Sequence, residues 1–333
     1  MTMRGFDPDF ADLPDYIIKI TERIWEGRNI GLINRHYSED CRIHTSMGPG
    51  RGARGAIAAT LETLHAFPDR RLLPEDIVWS GNETDGFLSS HRIISPARHL
   101  GPGPFGPPTG NQLQFRSIAD CYCTHNKITE EWLVRDQAGM CLQIGLSPET
   151  LAETLAAADH AAGRPPWQIE PAAELIREGG FRPAVLQPHP AAAEVRKTLS
   201  AIWTGKDLSA IPHAYHPACT IHLPRARTVY GHERFTQALF GYLAAFPDAE
   251  IAIEHSIALD APNQPIRVAT RWWLTGTHTG TGAFGPRSGA TILALIITHS
   301  HVVDGEIREE WHVLDEVAIL KQIAEYRLGQ NRA

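Results

Sequence analysis

The chain contains one sequence pattern twice, and this internal repeat constrains its fold more than any other feature. Four residues of the first half recur in the second half at a constant offset of 178: Trp25, Tyr37, Cys41 and His44, which match Trp203, Tyr215, Cys219 and His222. After a one-residue insertion the offset becomes 179, and three short strings and one aspartate match: AFPD at 66–69 and 245–248, FGP at 105–107 and 284–286, EEW at 130–132 and 309–311, and Asp136 and Asp315. So many matches in one register indicate a tandem duplication.

The repeat predicts the domain organisation. A length of 333 residues agrees with about two domains at roughly 150 residues each. We expect a first copy of the domain over 1–150 and a second copy over 191–333. Between them, at 151–190, the composition predicts a helical and proline-rich linker.

Each half shows helical periodicity first and strand-like segments afterwards. The strands are predicted at 72–80, 86–96, 111–125 and 128–136, with counterparts at 251–259, 266–276, 290–303 and 306–315. Asp304-Gly305 is a typical hairpin turn, and Asn126-Lys127 lies at or beside the equivalent place. This order predicts an α+β fold, with helices on one face of an antiparallel sheet.

Composition excludes several classes of protein. Hydrophobic residues make up 43% of the chain, which argues against disorder, and the net charge of −7 argues against nucleic acid as a partner. No apolar run reaches the roughly 18 residues of a membrane span, and the first residues lack a secretory signal, so a cytoplasmic location without membrane contact is expected. The five cysteines have no paired spacing, which argues against disulfides and a structural zinc site.

Motifs in both halves point to a known family. The second half contains GTHTGTGAFGPRSG at 276–289 and VVDGEIREEWHVLD at 302–315, and the first half has SPARHLGPGPFGPPTG and ITEEWLVRDQAGMCLQIG at the same places. Each half thereby resembles the SnoaL-like polyketide cyclases, within the nuclear transport factor 2-like superfamily. The resemblance implies a cone-shaped domain, in which a curved antiparallel sheet wraps around helices and encloses an apolar pocket.

Asp136 and Asp315 are the first candidates for catalysis. Each follows a tryptophan, Trp132 or Trp311, by four residues, and residues four apart on a strand share a face. We therefore expect each pair in the pocket, with the tryptophan contacting substrate. A carboxylate in an apolar pocket has a raised pKa and can move protons beside a carbonyl. The resemblance implies this acid/base role for the aspartate, whereas the sequence equally allows a helix cap.

Histidines and tryptophans at matching positions extend the candidate site. His44 and His222 end the first strand, where an imidazole could orient substrate or stabilise an enolate, or serve structure alone. The resemblance places Trp25 and Trp203 in the pocket, although helical spacing also allows core packing. Three further histidines are candidate substrate contacts: His99 and His278 in the glycine- and proline-rich loop that resembles a lid, and His91, which occurs only in the first half.

Two strand alternations are relevant to this site. Counting from the expected hairpin turns places Tyr122 on the face opposite Trp132, and places His299 and His301 opposite Trp311. The His299–His301 spacing allows metal binding, but no third ligand is evident beside it. We therefore expect no metal, and the absence of phosphate-binding glycine motifs argues against a nucleotide cofactor.

These features together predict a cofactor-independent acid/base enzyme: a cyclase, isomerase or lyase acting on a small hydrophobic, aromatic or polyketide-like carbonyl or hydroxyl compound. The alternative is a non-catalytic module for small-molecule binding or dimerisation, since the fold serves both. A division of labour between a catalytic and a structural half is also open. The two halves are expected to pair as an internal pseudo-dimer, and a homodimer of the whole chain remains an alternative.

Overall fold

The chain forms two compact units, Met1–Leu146 and Ser147–Ala333, in a computed structural model that describes residues 3–181 and 184–330. Each unit contains a mixed sheet with helices, which confirms the predicted tandem α+β fold. Each sheet contains a parallel pair near one edge, and the second sheet has another parallel pair at its opposite edge, so neither sheet is purely antiparallel as expected.

Unit 1 has a six-stranded sheet, with helices before its first strand, between its second and third strands and after its last strand. Its helical segments are α1 (Leu13–Thr21), which continues into a π-helical turn (Glu22–Glu26), a 3-10 turn (Ile30–Leu32), α2 (Ile33–His36), α3 (Gly52–Ala66) and α4 (Gln137–Ile144). Its strands are β1 (Tyr37–Thr45), β2 (Gly48–Arg51), β3 (Leu73–Asn82), β4 (Gly86–Arg98), β5 (Gln112–Thr124) and β6 (Lys127–Arg135). They lie in the order β2-β1-β6-β5-β4-β3, with β1 parallel to β6.

Unit 2 repeats this order and adds elements at its beginning. Its helices are α5 (Pro148–Ala161), α6 (Ile169–Glu178), α7 (Pro190–Trp203), a 3-10 turn (Leu208–Ala210), α8 (Ile211–Ala214), α9 (Gly231–Ala245) and α10 (Glu316–Gln330). Its strands are β7 (Val185–Leu186), β8 (Tyr215–Leu223), β9 (Arg227–Tyr230), β10 (Glu250–Leu259), β11 (Ile266–Thr277), β12 (Thr291–Val303) and β13 (Glu306–Leu314). The sheet order is β7-β10-β11-β12-β13-β8-β9.

The segment expected as a linker is built into unit 2. Helix α5 begins at Ser147, whose hydroxyl accepts from the backbone N–H groups of Glu149 and Thr150. It packs along α10, where Asp159 lies 2.7 Å from the Lys321 ammonium. Strand β7 extends the sheet by pairing with β10. Apart from 182–183, which lie outside the described residues, the chain between the repeats thus belongs to the second fold.

A β-bulge next to the last hairpin sets which side chains face the helices. The turns are His125-Asn126 and Asp304-Gly305, all with left-handed φ values between 47° and 84°. Two residue pairs beyond each turn the register shifts, so that Tyr122 pairs with Glu130 and His299 pairs with Trp311. The extra residue inverts the alternation counted from the turn. Tyr122 therefore shares a face with Trp132, and His299 and His301 share one with Trp311; the predictions of opposite faces are wrong.

Candidate functional site

Unit 1 encloses a cavity of about 290 Å³ between its helices and one face of its sheet. We call this face of β1, β4, β5 and β6 the cavity face. The cavity is largely apolar, and its apolar lining includes Ile17, Ile20, Trp25, Ile43, Leu72, Ile93, Ala119 and Leu133. Small residues of α3, namely Gly55, Ala56 and Ala59, leave the space open on the helical side.

Glu131 is the acidic group of this cavity. Its side chain is 8% exposed, and one carboxylate oxygen accepts a hydrogen bond from the Tyr37 hydroxyl at 3.2 Å. Burial raises the pKa of Glu131, and the bond from Tyr37 and the positive charge of Arg135 offset this only in part. Such a carboxyl exchanges its proton closer to neutrality than an exposed glutamate does. The same burial keeps Tyr37 neutral by raising the pKa of its phenol.

His91 lines the cavity from β4. The side chain is 3% exposed, and its Nε2 has no hydrogen-bond partner among the residues that the structure describes. Burial lowers the pKa of His91 to about 4, so the imidazole is neutral at neutral pH. A neutral imidazole with an unsatisfied nitrogen can donate to, or accept from, a polar group of a bound molecule.

Two arginines, Arg70 and Arg135, also line the cavity. Arg70 follows the AFPD turn and is 4% exposed. Its Nε donates to the Ser95 hydroxyl at 3.4 Å, and its guanidinium carbon lies 5.1 Å from the centre of the Phe115 ring. Burial, together with the like charges of Arg135 and Arg28, lowers the pKa of Arg70 well below its usual value.

The equivalent space in unit 2 is filled. The void there measures about 20 Å³, and bulky side chains surround it. Unit 2 has larger residues at five positions of the repeat: Phe235 in place of Ala56, Leu239 of Thr60, Tyr242 of Thr63, Trp272 of Ile93 and Ile296 of Ser117. A separate groove of about 500 Å³ in unit 2 lies beside the start of α7, where His189 and Glu194 line it.

The glutamate equivalent to Glu131 has a different environment in unit 2. Glu310 accepts from the Tyr215 hydroxyl at 2.6 Å and from the Ser300 hydroxyl at 2.5 Å, and it contacts the His312 ring nitrogen at 2.7 Å. Burial disfavours its charge, but His312 and these bonds together lower the pKa of Glu310. In unit 1 Cys121 and Leu133 replace the serine and the histidine, so that of these three partners Glu131 retains the tyrosine.

Of the residues proposed from the sequence, two line the unit 1 cavity: Trp25 and His91. Trp25 lies on the π-helical turn that follows α1, an irregularity often found at functional sites. Trp203, its counterpart, borders the small void of unit 2.

His44 and Trp132 lie on the sheet face opposite the cavity, and the expectation that they line it is corrected. On β1 the cavity-lining residues are Ile43 and Thr45, and alternation turns His44 away. The His44 and Trp132 rings stack at 5.1 Å, and His44 Nε2 lies 2.7 Å from a Glu130 oxygen. Unit 2 repeats this stack with His222 and Trp311 at 5.0 Å, and with His222 bonded to Glu309.

Asp136 and Asp315 cap helices. The Asp136 carboxylate accepts from the Gly139 backbone N–H at 2.9 Å, at the start of α4. Asp315 accepts from Val317 and Ala318 at 3.1 and 3.3 Å, at the start of α10. Neither is among the residues around the cavity of its unit, because the bulge brings Glu131, Leu133 and Arg135 to the cavity face instead.

His99 and His278 are buried beside the loop rather than placed at a pocket. The His99 ring lies 5.4 Å from Phe67 and bonds to Thr109; the His278 ring lies 5.4 Å from Phe246 and bonds to Ser288. These side chains hold the glycine-rich loop against the end of the preceding helix. The predicted contact with substrate at a lid therefore does not follow from their placement.

His299 and His301 lie on a packed face of β12. The His301 ring meets the Trp311 ring edge to face at 4.7 Å, and His299 is 1% exposed. Within the described part of the chain, no group of three or more histidine, cysteine, aspartate or glutamate side chains is arranged to hold a metal ion.

Sequence reasoning missed Glu131, Tyr37, Arg70 and Arg135 as cavity groups. Tyr37 and Glu131 carried a usable signal, because both recur in the second half, within the same matches that singled out His44 and Trp132. Arg70 and Arg135 carried no such signal, because the second half has Ala249 and Leu314 at the equivalent positions.

Comparison with known proteins gives a family match over most of the chain. The family model for SnoaL-like polyketide cyclases matches residues 16–144 and 193–323. No curated protein matches the sequence. No helix among the described residues is long and apolar enough to cross a membrane.

Several solved structures resemble a single copy of the domain. A protein of Jannaschia sp. CCS1, described as a SnoaL-like polyketide cyclase, is 18% identical, with a TM-score of 0.37; the match covers 44% of this chain and 98% of that chain. IdmH of Streptomyces antibioticus, described as a polyketide cyclase, is 24% identical, with 40% and 99% covered and a TM-score of 0.34. AclR of Streptomyces galilaeus, described as a hydroxylase, is 23% identical, with 40% and 85% covered and a TM-score of 0.35.

Proposed function

Because the chain belongs to the SnoaL-like polyketide cyclase family and carries its domain twice, we propose that unit 1 is a cofactor-independent acid/base enzyme. Its substrate is a small hydrophobic compound, aromatic or polyketide-like, with a carbonyl or hydroxyl group. The reaction is a cyclisation, isomerisation or lyase-type cleavage that begins with proton removal beside that group. Unit 2 supports the fold and takes no part in the chemistry.

One observation carries the proposal: Glu131 is a buried carboxyl that lines an open cavity. Glu310, in contrast, is held by hydrogen bonds to three side chains, beside a space that other side chains fill. A general base works best when its pKa lies near the working pH, and burial moves Glu131 in that direction. The acid limb of the pH–rate profile is therefore expected above the ordinary glutamate pKa of 4.5.

The geometry supports a simple proton cycle. The Glu131 carboxylate takes a proton from the carbon beside the substrate carbonyl, and His91 donates a hydrogen bond to the oxygen on which negative charge develops. In a cyclisation the resulting enolate carbon bonds to a second carbonyl carbon, and Glu131 returns its proton to the new alkoxide. Trp25 covers the ring of the substrate. Atoms and electrons balance without a redox cofactor.

Asp136 is the competing proton-transfer group. The resemblance to the family implies it, and its capping bond to Gly139 does not exclude a second role. The non-catalytic alternative, a small-molecule-binding module, uses the same cavity without any proton transfer.

Turnover of a panel of aromatic and polyketide-like carbonyl compounds tests these proposals. We expect Glu131→Gln to lower kcat by at least about 100-fold, the usual size of a general acid/base contribution, while Glu310→Gln, its matched control in unit 2, leaves kcat within about twofold. Circular dichroism and thermal unfolding show that each variant is folded. If Glu131→Gln retains full turnover and Asp136→Asn loses it, Asp136 rather than Glu131 is the proton-transfer group. Binding without turnover in the wild type would favour the binding module.

A further inference from the structure

We propose that the substrate of unit 1 carries a carboxylate, which Arg70 binds at one end of the cavity. This inference deepens the proposed function and rests on it for the identity of the site. It draws on the cavity lining and on the missing counter-charge of a buried guanidinium.

Arg70 is a buried cation whose guanidinium hydrogen-bonds and packs against neutral groups. At 4% exposure its guanidinium meets the Ser95 hydroxyl and the face of Phe115, and no described carboxylate forms an ion pair with it. Arginine is rarely buried unless an anion accompanies it, because an uncompensated charge loses its hydration. The positive charges of Arg135 and Arg28 add to this cost, because both lower the pKa of Arg70.

Arg70 lines the cavity, and its guanidinium contacts Ser95 and Phe115, a cross-strand pair that continues the cavity face of β4 and β5. Arg70 and Arg135 line the cavity together with the Ser117 and Thr63 side chains, which supply hydroxyl groups at the same end of the lining strands and helix. A planar guanidinium can bind a carboxylate through two parallel N–H···O bonds. An anion on the bound molecule would therefore provide the counter-charge that the side chains described by the structure do not.

The second copy of the domain supplies an internal comparison. In unit 2, where the equivalent space is filled, Ala249 stands in place of Arg70, Leu314 in place of Arg135 and Ile296 in place of Ser117. The cationic end thus accompanies the open cavity and is missing where the cavity is filled. A role in folding of the repeated domain would require these arginines in both copies.

The position of Glu131 relative to the arginine end limits the size of the ligand. Glu131 and Arg135 are four residues apart on β6, so their Cα atoms are separated by about 13 Å at roughly 3.3 Å per residue. An apolar cavity of about 150 Å³ accommodates one benzene ring, and this cavity is about 290 Å³. The volume suits a two-ring acid, and we expect its reactive carbon at Glu131 and its carboxylate at the end lined by Arg70 and Arg135.

The test compares 2-naphthoate with its neutral counterpart 2-naphthamide by isothermal titration calorimetry at pH 7.5. In the wild type we expect naphthoate to bind at least tenfold more tightly than the amide. In Arg70→Gln the two affinities become equal within about twofold, and Arg70→Lys, which keeps the charge, retains part of the preference. The matched control is Arg98→Gln, which removes a guanidinium that is 56% exposed and outside the cavity lining.

Equal affinities in the wild type, or an unchanged preference in Arg70→Gln, would overturn the inference, as would failure of both probes to bind. Thermal unfolding with naphthoate gives a second readout, because a ligand that binds only the folded state raises Tm. The same titration in Glu131→Gln separates the two proposals. A retained carboxylate preference with retained turnover would refute only the role of Glu131, whereas lost turnover without any preference would refute only that of Arg70.

Discussion

Glu131 and Glu310 show at the residue scale how neighbours decide what a shared side chain can do. Both occupy the same place in the repeat and both accept from a buried tyrosine. The serine and histidine beside Glu310 stabilise its charge, and their replacement by Cys121 and Leu133 removes that stabilisation from Glu131. Two substitutions therefore separate a structural carboxylate from one with a raised pKa that can transfer protons.

His91 leads to a prediction about stability and pH. Its folded-state pKa is about 4, below the ordinary value of 6.5, so between these values the unfolded chain binds more protons. The free energy of unfolding therefore falls as the pH drops from 6.5 to 4, by roughly 3 kcal/mol from this residue. We expect His91→Gln to lose this part of the pH dependence in urea unfolding, and the exposed His65→Gln to retain it. Parallel curves for wild type and His91→Gln would contradict the assignment.

At the scale of elements, α3 and its counterpart α9 differ in the side chains that they direct at the sheet. Thr63 of α3 is replaced by Tyr242 in α9, and Ile93 on the facing strand is replaced by Trp272. Trp272 is fully buried, and its indole donates to Thr298 at 3.0 Å. The repeated helices and strands follow the same order in both units, and the larger side chains of unit 2 fill the space that is open in unit 1.

Introducing the unit 2 side chains into unit 1 is expected to fill its cavity, and the reverse change is expected to leave a void in unit 2. Thr63→Tyr combined with Ile93→Trp fills the unit 1 cavity, so naphthoate binding is lost while the chain remains folded by circular dichroism. Trp272→Ile in unit 2 removes a large buried ring and should lower the free energy of unfolding by about 3 kcal/mol, since the remaining cavity adds to the lost burial. Undiminished binding in the double variant would show that the ligand lies elsewhere.

For the whole molecule, the duplication does not produce two equivalent sites. One copy of the domain has an open cavity with acidic and basic ends, and the other has a packed interior. A fused pair of this kind allows one copy to change its interior while the other retains the features needed for folding. The expected pairing of the two copies as an internal pseudo-dimer stays a prediction.

The whole chain is therefore expected to bind one ligand molecule. Calorimetric titration with naphthoate should give a stoichiometry near one per chain, and Glu310→Gln should leave that value unchanged. A stoichiometry near two would contradict the assignment of the cavity to unit 1 alone. It would direct attention to unit 2, where the groove beside α7 offers the larger volume.

The duplication, the order of helices and strands and the family can all be inferred from the amino-acid sequence. These follow from local periodicity, turn residues and the matched motifs EEW and AFPD, which need no knowledge of the packing. Trp25 and His91 could also be selected from the sequence, although Trp132 and His44 were selected by the same reasoning and lie on the opposite face.

Which face of each strand encloses the cavity, and which unit is open, becomes known only from the packed fold. One bulge residue in β6 inverts the alternation, so that Glu131 rather than Trp132 faces the ligand space, and a single inserted residue leaves no clear mark in the sequence. Arg70 enters the cavity from a loop, where periodicity has no meaning. The volume left between α3 and the sheet is a property of side chains from distant segments, and it exists only once they are packed together.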